Sequence, residues 1–118
     1  MNLRIDSRSV RLRLDADEAR ALKAAGELRE RYALLGLDLM LRVTVAPLEG
    51  GIAITFADGE ARVVVDGAAL ATALARAPAK DAGVYSRTEQ GIAQALEIDV
   101  FNAKKQSDRR TSKQGGSS

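Results

Sequence analysis

Six arginines carry most of the chemistry this chain can offer. Arg11, Arg13, Arg29, Arg31, Arg42 and Arg62 fall inside short runs of alternating apolar and polar residues, most cleanly in Ser9-Val10-Arg11-Leu12-Arg13-Leu14-Asp15. A strand sends successive side chains to opposite faces, so such a run separates its arginines from its apolar residues. Guanidinium groups aligned on a sheet can grip carboxylates or phosphates through paired hydrogen bonds. Arg11, Arg13, Arg29, Arg31 and Arg42 therefore form the candidate surface for an anion or a protein partner. The competing role is a solvated lattice, in which the arginines pair across strands with Glu30, Glu60, Glu97 and Asp99. Matching parity of these acids favours the lattice.

A second pair, Glu97 and Asp99, shares one strand face. Two carboxylates at that spacing lie about 6.5–7 Å apart at their Cα atoms, close enough to share acid–base work. Neither a third acid nor a histidine completes the set, so pairing with arginine is the simpler role. The chain contains no His and no Cys. That removes disulfides, thiol nucleophiles, imidazole bases and the usual zinc ligands together. Gly50-Gly51 has no phosphate-loop spacing and reads as a turn, and no serine sits in a nucleophile elbow. The expectation is a protein that is not an enzyme, with no catalytic residues, no metal site and no cofactor.

The formal charge of +2 conceals an asymmetry. Residues 103–118 hold Lys104, Lys105, Arg109, Arg110 and Lys113 against Asp108, a net +4, which leaves −2 on residues 1–102. The basic end is expected to be a disordered tail, because its composition cannot bury enough apolar surface to order itself. Its cations fall short of the roughly 6–10 phosphate contacts of a salt-sensitive nucleic-acid binder. Aromatic residues number only four, Tyr32, Phe56, Tyr85 and Phe101. Stacking platforms for single-stranded nucleic acid are therefore scarce, which argues against that partner. No run approaches a membrane span or a signal peptide, so a soluble cytoplasmic protein is expected.

The elements that must position these residues follow from pattern. Leu3-Arg4-Ile5 and Ser9–Leu14 read as strands around an Asp6–Ser9 turn. Asp15 with Glu18 has capping-box spacing for a helix over Ala16–Ala25, closed by Gly26. Glu27–Leu34 and Leu39–Val45 read as strands, with Gly36 or Asp38 at the turn between them. Ile52–Phe56 and Glu60–Val65 flank an Asp58-Gly59 hairpin signal. Asp66 caps a second helix over Gly67–Ala77, which Pro78 ends. Gly83–Arg87 and a run holding Ile92, Leu96, Ile98 and Val100 complete the list.

The order is ββαββ–ββαββ, an α+β domain over residues 1–102 with a mainly antiparallel, partly closed sheet and two short Ala-rich helices. A shift of 51 residues lays Asp15 on Asp66 and Leu12 on Val63. Identities at that shift are only Arg11/Arg62, Asp15/Asp66 and Ala24/Ala75 across 24 positions. Two units obeying the same physics explain the pattern as simply as a duplication does.

Arg4-Ile5, followed by Ser9-Val10-Arg11-Leu12-Arg13-Leu14, resembles the opening of a family of small bacterial proteins known as a domain of unknown function. Glu18 and Gly26 match its helix acid and closing glycine. Phe56-Ala57-Asp58-Gly59 is similar to its central hairpin, Gly83-Val84-Tyr85 to a later strand, and Leu96-Glu97-Ile98-Asp99 to its last strand. This chain departs at the end, lacking the family's Cys and terminal Pro-Asn-Pro and carrying a basic tail. The resemblance implies one compact domain and no particular activity. The leading expectation is a non-catalytic protein-interaction or self-association module, with a homodimer as one form. The alternative is an anion or nucleic-acid backbone binder using the strand arginines and the tail.

Overall fold

A computed structural model describes residues 1–34, 37–77 and 82–99. The element order is β1 (Asn2–Ile5), β2 (Ser9–Asp15), α1 (Ala16–Ala25), β3 (Glu27–Leu34), β4 (Leu37–Val45), β5 (Ile52–Ala57), β6 (Glu60–Val65), α2 (Gly67–Arg76), β7 (Gly83–Arg87) and β8 (Ala93–Asp99). This is the α+β order expected. Asp38 is not a turn residue: it lies in β4 opposite Ala33 and ion-pairs with Arg31. The expected basic tail lies outside the described residues.

The strands make two mixed four-stranded sheets, ordered β1-β2-β8-β7 and β3-β4-β6-β5. At the centre of each sheet is a parallel pair, β2 with β8 and β4 with β6, flanked by antiparallel hairpins. Alternation within a strand says which face is buried but not which distant strand lies alongside, so the parallel pairs were not foreseen.

The two halves of the chain follow one plan. Moving the β1–β2 register by 51 residues turns Leu3 opposite Leu12 into Ile54 opposite Val63, the register of β5 and β6. Under the same exchange, the order β1-β2-β8-β7 becomes β5-β6-β4-β3, the second sheet read backwards. Followed across the central ladders, the Glu27–Thr44 pair of β3 and β4 takes the place of the Gly83–Glu97 pair of β7 and β8, at shifts of 56 and 53 residues. A pseudo-twofold relation thus links the sheets, although few residues are identical across it.

One apolar core lies between the sheets and under the helices. Leu12, Leu14, Leu41, Val43, Val63, Val65 and Leu96 are fully buried on the inner faces. Into the central core cluster each helix sends one large and one small side chain, Ala19 and Leu22 from α1 and Leu70 and Ala73 from α2, while Ala16 is also buried on α1. At the 51-residue shift Leu22 coincides with Ala73, and Ala19 with Leu70. The sizes are inverted between equivalent places, which lets two adjacent helices share a limited space.

The helix starts differ in a useful way. Asp15 accepts from the Glu18 N–H at 2.8 Å while Glu18 accepts from the Asp15 N–H at 3.0 Å, a full capping box. Asp66 accepts from the Ala69 N–H at 3.0 Å, but its other oxygen accepts from the Leu48 N–H at 3.0 Å. It therefore fastens α2 to the link that joins the halves.

Where the sheets meet, side chains replace ladder bonds. The Ile54 N–H donates to buried Gln94 at 2.6 Å, and the Ser86 hydroxyl donates to the Ile52 carbonyl at 2.8 Å. At the equivalent place on β1, the Tyr32 hydroxyl lies 3.3 Å from the Met1 carbonyl, and 3.0 Å from Glu30. Burial, then the bond to Glu30, pushes the Tyr32 phenol up to about 12.

Candidate functional site

The fold divides the candidate arginines between two surfaces. Arg11 and Arg13 stand on the outer face of the β1-β2-β8-β7 sheet, and Arg29, Arg31 and Arg42 on that of the β3-β4-β6-β5 sheet. They do not form one stripe.

On the second sheet, the register places Arg29 beside Arg42 and Arg42 beside Arg62, three cations in one row. Like charges directly opposite one another repel, so a row of this kind needs acids. Glu27 lies 3.1 Å from Arg29 and 3.7 Å from Arg42, while Glu60 lies 2.8 Å from Arg62 and 3.7 Å from Arg42. Each glutamate thus serves two arginines. The hydrogen bond from Arg62, and then the Arg42 charge, hold the Glu60 carboxyl below its ordinary range. Arg31 closes on Asp38 with a fork, its Nε 2.8 Å from Oδ1, and this bond depresses the Asp38 carboxyl. The expected lattice exists here, with a correction. Glu30 turns to the other side, where Tyr32 bonds it, and the partners are Glu27, Asp38 and Glu60.

The first sheet has the same row with different contents: Arg4 opposite Arg11, then Ala95, then Tyr85. Arg11 occupies the place of Arg62, Ala95 that of Arg42, and Tyr85 that of Arg29. The neutralising acids are gone, because Ser9 stands at the position of Glu60 and Gly83 at that of Glu27. Arg13 pairs with Glu97 at 3.7 Å. Among the described residues, the Arg4 and Arg11 guanidinium groups make no hydrogen bond or ion pair. Arg11 acts at a distance on Asp6, but that carboxylate already accepts from the N–H groups of Arg8 and Ser9 and from the Ser9 hydroxyl. Those bonds, led by the Arg8 N–H, hold Asp6 below the usual carboxylate range.

Beside Arg11 runs an open groove of about 530 Å³, lined by Arg11, Tyr85, Arg87, Ala93, Ala95 and Glu97. Its floor is alanine. One wall is Tyr85, which is 51% exposed. The ring reaches back over Gly83, where an added Cβ would fall 2.8 Å from the Tyr85 hydroxyl and 2.7 Å from the Leu96 carbonyl. Glycine there lets the tyrosine lie along the sheet.

The carboxylate pair does not act as a unit. Glu97 lines this groove, whereas Asp99 lines a separate polar cleft with Asp15, Glu18, Arg4 and Arg13. Among the described residues no group of three His, Cys, Asp or Glu is placed to hold a metal ion.

Arg4 and Tyr85 are the residues of this face that the sequence pattern did not single out. Arg4 was legible, since the Asp6–Ser9 turn between two strands puts it opposite Arg11. Tyr85 carried no such signal, because it reaches Arg11 only through the parallel pairing of β2 with β8.

No helix among the described residues is long and apolar enough to cross a membrane. No curated protein and no solved structure matches the chain. A family of unknown function, DUF7009, nonetheless matches residues 1–107, and the chain belongs to that family.

Proposed function

We propose that this chain is a non-catalytic interaction module that meets an acidic segment of a partner protein on the outer face of the β1-β2-β8-β7 sheet. One observation carries the reading: Arg42 and Arg62 are neutralised by Glu60 and Glu27, whereas Arg11, at the place of Arg62, and its cross-strand neighbour Arg4 make no ion pair among the described residues, with Ser9 and Gly83 where those acids would stand. Two cross-strand guanidinium groups that make no ion pair among the described residues match a carboxylate-bearing segment, which would form charge-assisted hydrogen bonds of about 1.5–3 kcal/mol each. The groove is shallow, and small ligands favour pockets that bury most of their surface. An extended chain can instead lie along such a face. Nucleic acid fits less well, with two unpaired cations and one exposed ring available. Arg13 supports the surface through Glu97, while Arg29, Arg31 and Arg42 belong to the balanced lattice. The absence of His and Cys, and carboxylates engaged by arginine or by backbone N–H groups, support a role without catalysis. A chain without cysteine also suits the reducing cytoplasm of a bacterium.

Fluorescence anisotropy with a labelled hexaglutamate peptide tests the reading. Binding should weaken as salt rises and should fall on the order of tenfold or more in Arg4→Glu/Arg11→Glu. Arg62→Gln, on the other sheet, should leave it unchanged. Equal binding by the charge-reversed variant would end the proposal, and tighter binding to a single-stranded oligonucleotide would redirect it.

A further inference from the structure

Neither sheet is made by one half of the chain. The β1–β2 hairpin of the first half lies beside the β7–β8 hairpin of the second, and β3–β4 lies beside β5–β6. The central ladders, Ser9–Asp15 along Ala93–Asp99 and Met40–Val45 along Glu60–Val65, both join first half to second. The seam bonds from Ile54 to Gln94 and from Ser86 to Ile52, by contrast, fall within the second half. Each half alone would expose one side of each of its two hairpins. The covalent connection between halves is the short link from Ala46 to Gly51.

We propose that the chain associates with a second copy of itself by exchanging halves across this link. In the exchanged pair, the first half of one copy completes both sheets with the second half of the other, and the reverse holds for the second body. Every strand pairing of the single chain recurs in that pair, so the two forms differ chiefly at the link and in association entropy. Exchange of identical elements is for this reason an inexpensive route to a dimer.

The link is held by few contacts. The Ala46 N–H donates to the Val65 carbonyl at 3.1 Å, the Leu48 N–H to Asp66 at 3.0 Å, and the Asp66 N–H to the Gly51 carbonyl at 2.7 Å. Gly50 and Gly51 both hold left-handed backbone, with φ of 91° and 92°, which makes the tight return from β4 to β5 possible. Opening the link forfeits these bonds and the turn. It leaves the core and both central ladders available to the other copy. Asp66 is the latch, since one carboxylate holds both the link and the first turn of α2.

The chain has no cysteine, so introduced ones report cleanly. Arg13 and Glu97 are register neighbours across β2 and β8, one from each half. In Arg13→Cys/Glu97→Cys, a closed chain forms an internal disulfide and an exchanged pair forms disulfides between chains. Removing residues 47–50 from this variant should give a covalent dimer on a denaturing, non-reducing gel. The same sample should have the mass of two chains by light scattering and the circular dichroism of the parent. A second arm keeps the full link: the cysteine variant is unfolded in denaturant and refolded over a range of protein concentrations. Covalent dimer should rise with concentration and vanish on dilute refolding. If the shortened chain does not fold, the second arm alone decides. Internal disulfides only, or equal dimer from either single-cysteine variant, would overturn the proposal.

Discussion

The outer faces of the two sheets share a backbone plan and differ in charge balance. On β3-β4-β6-β5, Glu27 and Glu60 sit among Arg29, Arg42 and Arg62, so a row of like charges is tolerated. On β1-β2-β8-β7, the corresponding places hold Gly83 and Ser9, the row is thinned to Arg4 and Arg11, and Tyr85 lies over a small floor. Arginines at equal parity are therefore not equal in chemistry. What matters is the acid two residues away on the same strand and the strand that shares it: Glu60 holds Arg62 on its own strand and reaches Arg42 across the ladder from the other half of the chain.

The largest effect should come from breaking the equivalence of the halves in the core. Leu22→Ala should cost about 2–5 kcal/mol in urea unfolding, as deletion of a fully buried leucine does. Ala73→Leu alone should cost about 1–3 kcal/mol through overpacking. If the inverted sizes on the two helices fill one shared space, the double variant should lose clearly less than the sum. Strict additivity would show that the two positions are independent.

A smaller effect should follow from making the outer faces alike. Ser9→Glu places an acid beside Arg11 where Glu60 stands beside Arg62, and should weaken hexaglutamate binding on the order of tenfold. Glu60→Ser on the other sheet frees Arg42 and Arg62 of a shared acid. It should lower the thermal midpoint while creating a second, weaker site for the peptide. If neither substitution moves the peptide affinity, the charge comparison does not govern binding.

The smallest effect is on the acid limb of stability. Asp6, Asp38, Glu60 and Asp66 all have folded carboxyls held below their ordinary values. For Asp66 the main causes are the N–H groups of Leu48 and then Ala69. A depressed folded value means stability that is present above the ordinary carboxylate range and lost as pH falls through the folded value. Thermal midpoints should therefore fall on acidification below about pH 4. Asp66→Asn, which cannot titrate, should flatten that fall slightly. An unchanged slope would show that Asp66 contributes nothing to it.

Much of the fold was legible from local rules. Asp15 and Glu18 announced a capping box, Gly26 the helix end, and Asp58-Gly59 the hairpin, because each depends on residues within a few positions of one another. Asp38 misled because aspartate favours turns, whereas the strand already begins at Leu37 and Asp38 lies in it opposite Ala33. Glu60 was legible as a lattice acid, and it and Glu27 hold the arginine two residues along their own strands; only their sharing of Arg42 and the aromatic wall at Tyr85 came from pairing between strands. Glu30 shares an inward parity with Leu28, so its pairing with the strand arginines failed on the same count.

Local pattern and composition set which segments are strands and helices, which face of each strand is apolar, and that the chain has no His or Cys. Those properties are local or compositional, so no folded context is needed to read them. Only in the folded chain does Ser9–Asp15 run parallel to Ala93–Asp99, do the halves interlock, and does Arg11 share a groove with Tyr85. Ladder pairing between distant segments is chosen by the whole core at once, because a strand's alternation is the same whichever neighbour it meets.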